Sequence, residues 1–195
     1  MNQYRPSVDV LLRVFSVVVG FSVANFWNWH PIEAKRWISL ATLIMLLTLL
    51  MRFFLGAANH LEKTYCRRAA PNKIAAFVFN YSTALVFGGL IMWMAGSEAF
   101  VNFLHRALLI LVFAFVISLI HICWYHKRKA DKVYRYWLIL NALQLLATLW
   151  CLRCSDFTDA QKADVLAGVY SVFMVADLAL LLVWMGQRTA IQDGI

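Results

Sequence analysis

"WISLATLIMLLTLLMRFFLGAANHLEKTYCRR", residues 37–68, carries the two signals that decide the fold. An apolar run reaches Met51, meets Arg52, and continues through Phe53, Phe54 and Gly56 into a charged, helix-compatible stretch. A bilayer core about 30 Å thick is crossed by about 20 helical residues, which predicts a span over about 37–57. Arg52 lies roughly 6–8 Å from the inner end of that span at 1.5 Å per residue. From there a guanidinium can snorkel to the headgroups, or it can act as a working charge inside the membrane.

The rest of the chain repeats the first signal. Of 195 residues, 63% are hydrophobic and 14% charged, against roughly 25% charged in a soluble domain. The apolar residues fall into six blocks, at about 9–28, 37–57, 74–95, 102–124, 136–153 and 165–186. Connections are short and no linker or soluble domain interrupts them. The expectation is an all-α polytopic membrane protein, one compact six-helix domain over residues 1–195, because lipid leaves no other way to satisfy the backbone of such segments. Residues 1–24 have some features of a signal peptide, but Asp9 and the apolar run to Trp29 read instead as a retained first helix.

Orientation follows from lysine and arginine in the loops. The second loop holds Lys63, Arg67, Arg68 and Lys73, and the fourth holds Lys127, Arg128, Lys129, Lys132 and Arg135. The odd loops are poorer in basic residues. Even loops and both termini are therefore expected on the cytoplasmic side of a cell (inner or plasma) membrane. The net charge of +8 belongs to this pattern, facing anionic lipid, an anionic ligand or a cytoplasmic protein partner. The chain has no zinc-finger spacing or nucleic-acid motif, and no nucleic-acid partner is expected. Eight tryptophans lie near predicted span ends, as an interfacial aromatic belt requires.

Polar residues within the spans are costly in lipid and tend to face the bundle interior. Arg13, Arg52, Asn80, Tyr81, His121, Asn141 and Asp177 form a band in the inner half, with His121 nearest the boundary and read as interfacial. Asp177 sits near mid-span, too deep to snorkel, and needs a proton, a cation or water. Arg52 is its first expected partner and Arg13 the second. On the fifth span Asn141, Gln144, Thr148 and Cys151 recur at spacings of 3, 4 and 3, one face of a helix. Such a stripe lines a wet path or makes interhelical hydrogen bonds. Ser16, Gly20 and Ala24 make a small-residue face on the first span, and Gly88-Gly89 permits close packing or a kink on the third.

"CLRC" at 151–154 pairs Cys151 and Cys154 at a redox spacing beside Arg153, but the other cysteines lie on the opposite side. No central histidine pair supports haem, no four-ligand set supports zinc, and no intramembrane protease motif is present. No cofactor and no metal are expected, and the motifs identify no family. The sequence favours an oligomeric channel or transporter for ions or a small solute, built on Asp177, Arg52, Arg13, Asn80, Asn141, Gln144 and Thr148. Two alternatives stand beside it. One is a membrane sensor or effector module signalling through the basic loops; the other is a thiol–disulfide oxidoreductase using Cys151 and Cys154.

Overall fold

The computed structural model describes residues 5–29, 36–61, 74–125 and 131–192. They form six helices: α1 (Arg5–Trp29), α2 (Arg36–Leu61), α3 (Ile74–Ala95), α4 (Phe100–Tyr125), α5 (Asp131–Arg153) and α6 (Asp159–Gln192). Among the described residues there is no strand. Four helices contain stretches long and apolar enough to cross a bilayer, Pro6–Asn28, Ile74–Ala95, Phe100–Cys123 and Arg135–Arg153, while α2 contributes the shorter apolar run Leu40–Phe54. The outer surface is apolar as well: Val17, Leu146 and Val172 are each 60% exposed or more. A bundle with greasy flanks and buried polar groups is compatible with a bilayer, consistent with an integral membrane protein.

α2 is the hub, packing on α1, α3, α4 and α6. Apart from Thr42, Thr48 and Arg52, the side it buries is apolar. Ala41, Met45, Leu46, Leu49, Leu50 and Phe53 are all buried. Its most extensive partner is α6, and α4 and α5 form the other closely packed pair. Contacts between side chains fix the directions. Thr48 and Arg52 of α2 meet Tyr170 and Asp177 of α6 in the same order, so those helices run parallel. Thr148 of α5 meets Tyr170, whereas Gln144 meets Arg52, so α5 runs against both.

Short turns join α3 to α4 and α5 to α6. After α3, Ser97 accepts no long excursion: its backbone N–H and its hydroxyl both donate to Met94 O, at 3.1 and 2.7 Å. Arg106 from α4 donates to Trp93 O at 2.5 Å and stacks 4.5 Å from the Trp93 ring, so a cation covers the carbonyl end of α3. α6 starts six residues before the expected span at 165, because "TDAQ" at 158–161 is a capping box. Thr158 N–H donates to Gln161 Oε1 (2.9 Å) and Gln161 N–H to Thr158 Oγ1 (3.3 Å). α2 likewise continues past 57 to Leu61, as the helix-compatible sequence after Gly56 implies.

Candidate functional site

The hub position of α2 puts Arg52 where three other helices converge, and its chemistry leaves it only donor groups to offer. The side chain is 8% exposed. Its Nε donates to Asp177 Oδ2 of α6 at 2.8 Å, and Nη2 lies 2.7 Å from the same oxygen. Nη1 donates to Asn141 Oδ1 of α5 at 3.1 Å and to Gln144 Oε1 one turn along. Phe173 of α6 covers the guanidinium, with its ring centre 6.0 Å away.

Because a guanidinium cannot accept, it dictates the orientation of both amides, oxygens inward. Asn141 Nδ2 then points away and donates to Ser118 Oγ of α4 (3.3 Å), whose own hydroxyl donates to Ala114 O (2.8 Å). One charge thus organises side chains from α2, α4, α5 and α6. Gln144 Nε2 and Asp177 Oδ1 are turned outward by the same constraint, and among the described residues both are buried with no hydrogen-bond partner. Asp177 is 6% exposed and Gln144 fully buried.

One turn deeper lies a second polar layer. The Tyr170 hydroxyl and Thr148 Oγ1 share a hydrogen bond at 3.1 Å, and Thr48 Oγ1 donates to Ile44 O at 2.7 Å with Tyr170 O at 3.4 Å. All three residues are fully buried. Below them the seam ends on Cys151, Ala163 and Leu166, packed with no exposed surface. The stripe on α5 is therefore an interhelical seam, polar at Asn141, Gln144 and Thr148 and closed at Cys151.

The other expected residues lie apart. Asn80 of α3 meets His121 of α4, Oδ1 to Nε2 at 2.8 Å, while His121 Nδ1 lies 2.8 Å from Ile117 O. His121 is thus buried between helices rather than interfacial, since Asn80 supplies the partner that an interior imidazole requires. Arg13 is exposed on α1, on a face that does not point at Asp177. Cys151 is buried and Cys154 half-buried, both as free thiols. Tyr81, with Pro6, Ser7, Val10, Phe77 and Val78, lines an open groove of about 420 Å³ between the starts of α1 and α3. Lys63, Arg67, Arg68, Lys127, Arg128 and Lys129 lie outside the described residues. Among the described residues no three His, Cys, Asp or Glu side chains gather as a metal site would need.

Sequence reasoning missed Ser118, Thr48 and Tyr170. Spacing held a signal for two of them: Thr48 is one turn before Arg52, and Tyr170 is seven residues before Asp177, the same helix face. Compared with known protein families, curated proteins and solved structures, the chain matches none.

Proposed function

We propose that the protein is an integral membrane protein of the cell (inner or plasma) membrane that passes an ion or small solute, with Arg52 and Asp177 as its working charges. One observation carries this reading. A guanidinium and a carboxylate are buried together at a junction of helices, with Asp177 Oδ1 and Gln144 Nε2 left without partners. Apolar packing of similar volume would hold the helices at lower cost, because desolvating two charges offsets much of their attraction. Unpaired buried polar atoms cost about 1–3 kcal/mol each. A purely structural junction has no use for that cost, whereas a site that exchanges partners does.

With the basic loops facing the cytoplasm, the site lies in the inner half and the seam through Thr148 and Tyr170 leads outward. Its closure in this conformation corresponds to a shut state. Asp9, Arg13, Ser16, Gly20 and Trp27, at spacings of 4, 3, 4 and 7, share one exposed face of α1. A Cβ on Gly20 would meet nothing within 4 Å. That face is where copies of the chain would meet, Asp9 of one against Arg13 of the next.

The test is flux through liposomes containing the purified chain, across a panel of ions and small solutes. Asp177→Asn should abolish the permeation seen in the wild type, and unchanged flux would reject the role given to Asp177. The complete burial of Gln144, Thr148 and Tyr170 favours a second reading, a sensor or effector module that signals through the basic loops. There, charge reversal at Arg67, Arg68, Lys127 and Arg128 disables the protein and neutralising Asp177 does not.

A further inference from the structure

The polar atoms of the Arg52–Asp177 junction bear on which ion it could take. A metal cation or an alkali ion needs a shell of oxygens, and the oxygens here are committed to the guanidinium. Asn141 Oδ1, Gln144 Oε1 and Asp177 Oδ2 all accept from Arg52, while Thr148 Oγ1 is held by Tyr170. The guanidinium stands where a bound cation would stand, and its positive charge repels another. An anion meets the carboxylate, which already neutralises Arg52. A proton needs no shell. It needs one lone pair on a basic atom, and Asp177 Oδ1 is a buried carboxylate oxygen with no hydrogen bond among the described residues.

Resting on the transport reading above, we propose that the ion handled at this site is the proton, taken up at Asp177 Oδ1. The step balances simply. Hydronium transfers its proton to Oδ1, a new O–H bond forms, and water is left. Asp177 becomes neutral while Arg52 keeps its charge. Oδ2 still accepts from Arg52 after the transfer, but an ion pair has become a weaker hydrogen bond to a neutral acid. The amide oxygens of Asn141 and Gln144 are already on Nη1 and hold the guanidinium meanwhile.

The junction is therefore a two-position element, with Arg52 shared between a carboxylate on α6 and two amides on α5, and protonation shifts it towards α5. On the helices packed against α6, Arg52 of α2 is hydrogen-bonded to Asp177, and Tyr136 of α5 lies within electrostatic range of both charges. On α6 itself, Tyr170 lies two turns away and is occupied with Thr148.

The experiment uses the full chain in liposomes that enclose a pH-reporting dye, with an inside-negative potassium diffusion potential set by valinomycin. Parallel vesicles report sodium, potassium and chloride movement. The expected result is internal acidification at least ten-fold faster than in empty vesicles, lost in Asp177→Asn and retained in Asp177→Glu. Wild-type movement of another ion without acidification overturns the proton assignment and leaves the transport reading standing. Movement of no tested ion, with no solute flux either, overturns both.

Because Asp177→Asn leaves Arg52 without its counter-ion and can misfold, Arg52→Gln combined with Asp177→Asn is assayed beside it. A folded double variant that still acidifies the lumen overturns the proposal. Infrared difference spectra between neutral and acidic pH supply a readout that needs no flux. A carboxylic-acid carbonyl band should appear in the wild type and be missing in the double variant; its presence in both removes Asp177 as the acceptor.

Discussion

Arg52 and Phe53 are adjacent on α2, yet they belong to two different interiors. Arg52 faces α5 and α6, where its Nε and Nη1 donate to oxygens of Asp177, Asn141 and Gln144. Phe53 faces α1 and α3. Its ring lies edge-on to Phe15 (4.7 Å between centres) and stacks on Phe87 at 5.0 Å and 5°, and Phe87 in turn meets Phe113 of α4 at 5.9 Å. On this side α3 packs against α1 and α2 at Gly88: a Cβ there would sit 3.4 Å from Val18 and 3.7 Å from Phe53, within ordinary contact. The aromatic side is held by dispersion and shape, which degrade gradually when a group is changed. The polar side is held by a charge and its partners, and it fails abruptly when one member is removed.

That contrast can be broken most directly at the charge pair. Asp177→Leu or Arg52→Met alone should lower stability by about 3–5 kcal/mol, because each leaves a buried charge without its partner. Both together should recover most of that loss, as read by thermal unfolding in detergent. If the double variant is no better than the singles, the two sides do not differ in the way described. Next in size, Phe53→Leu should cost less than about 1.5 kcal/mol, a volume-tolerant change on the aromatic side. A loss as large as that of Asp177→Leu would show the aromatic contacts to be equally unforgiving.

Two smaller effects sharpen the comparison within each side. Thr148→Val removes the hydroxyl bonded to Tyr170 while keeping the shape, and should cost about 0.6 kcal/mol, the usual interhelical value in membranes. Gly88→Ala should raise stability by about 0.5 kcal/mol, since the added methyl meets Val18 at ordinary contact distance and alanine favours the helix. Destabilisation by Gly88→Ala would mean that α1 and α3 approach more closely than these distances state.

Much of this was legible without coordinates. Asp177 announced itself as a mid-span carboxylate, Arg52 as its partner, and Asn141, Gln144 and Thr148 as one face of α5; all are buried, and the first four meet. Less was legible where a residue's meaning depends on rotation of its helix. Arg13 had the same depth as Arg52, but Leu11, Phe15 and Val18 turn α1 so that Arg13 faces outward. Ser118 and Tyr170 looked like ordinary members of apolar spans until their neighbours were known. The early start of α6 was written in "TDAQ", a local signal outweighed by the charged look of the loop.

By itself, then, the chain's sequence determines the six helices of the described residues and their apolar flanks, close to where they begin and end. Hydrophobic length and local capping are properties of neighbouring residues. Which polar groups share an interior was decided only by tertiary structure. Arg52 and Asp177 are 125 residues apart, and a helix surface periodic in 3.6 residues can turn either of them anywhere around its axis. Packing of α2 against α6 selects the one rotation at which the guanidinium finds a carboxylate. The same rotation leaves one oxygen of that carboxylate buried and, among the described residues, without a hydrogen bond.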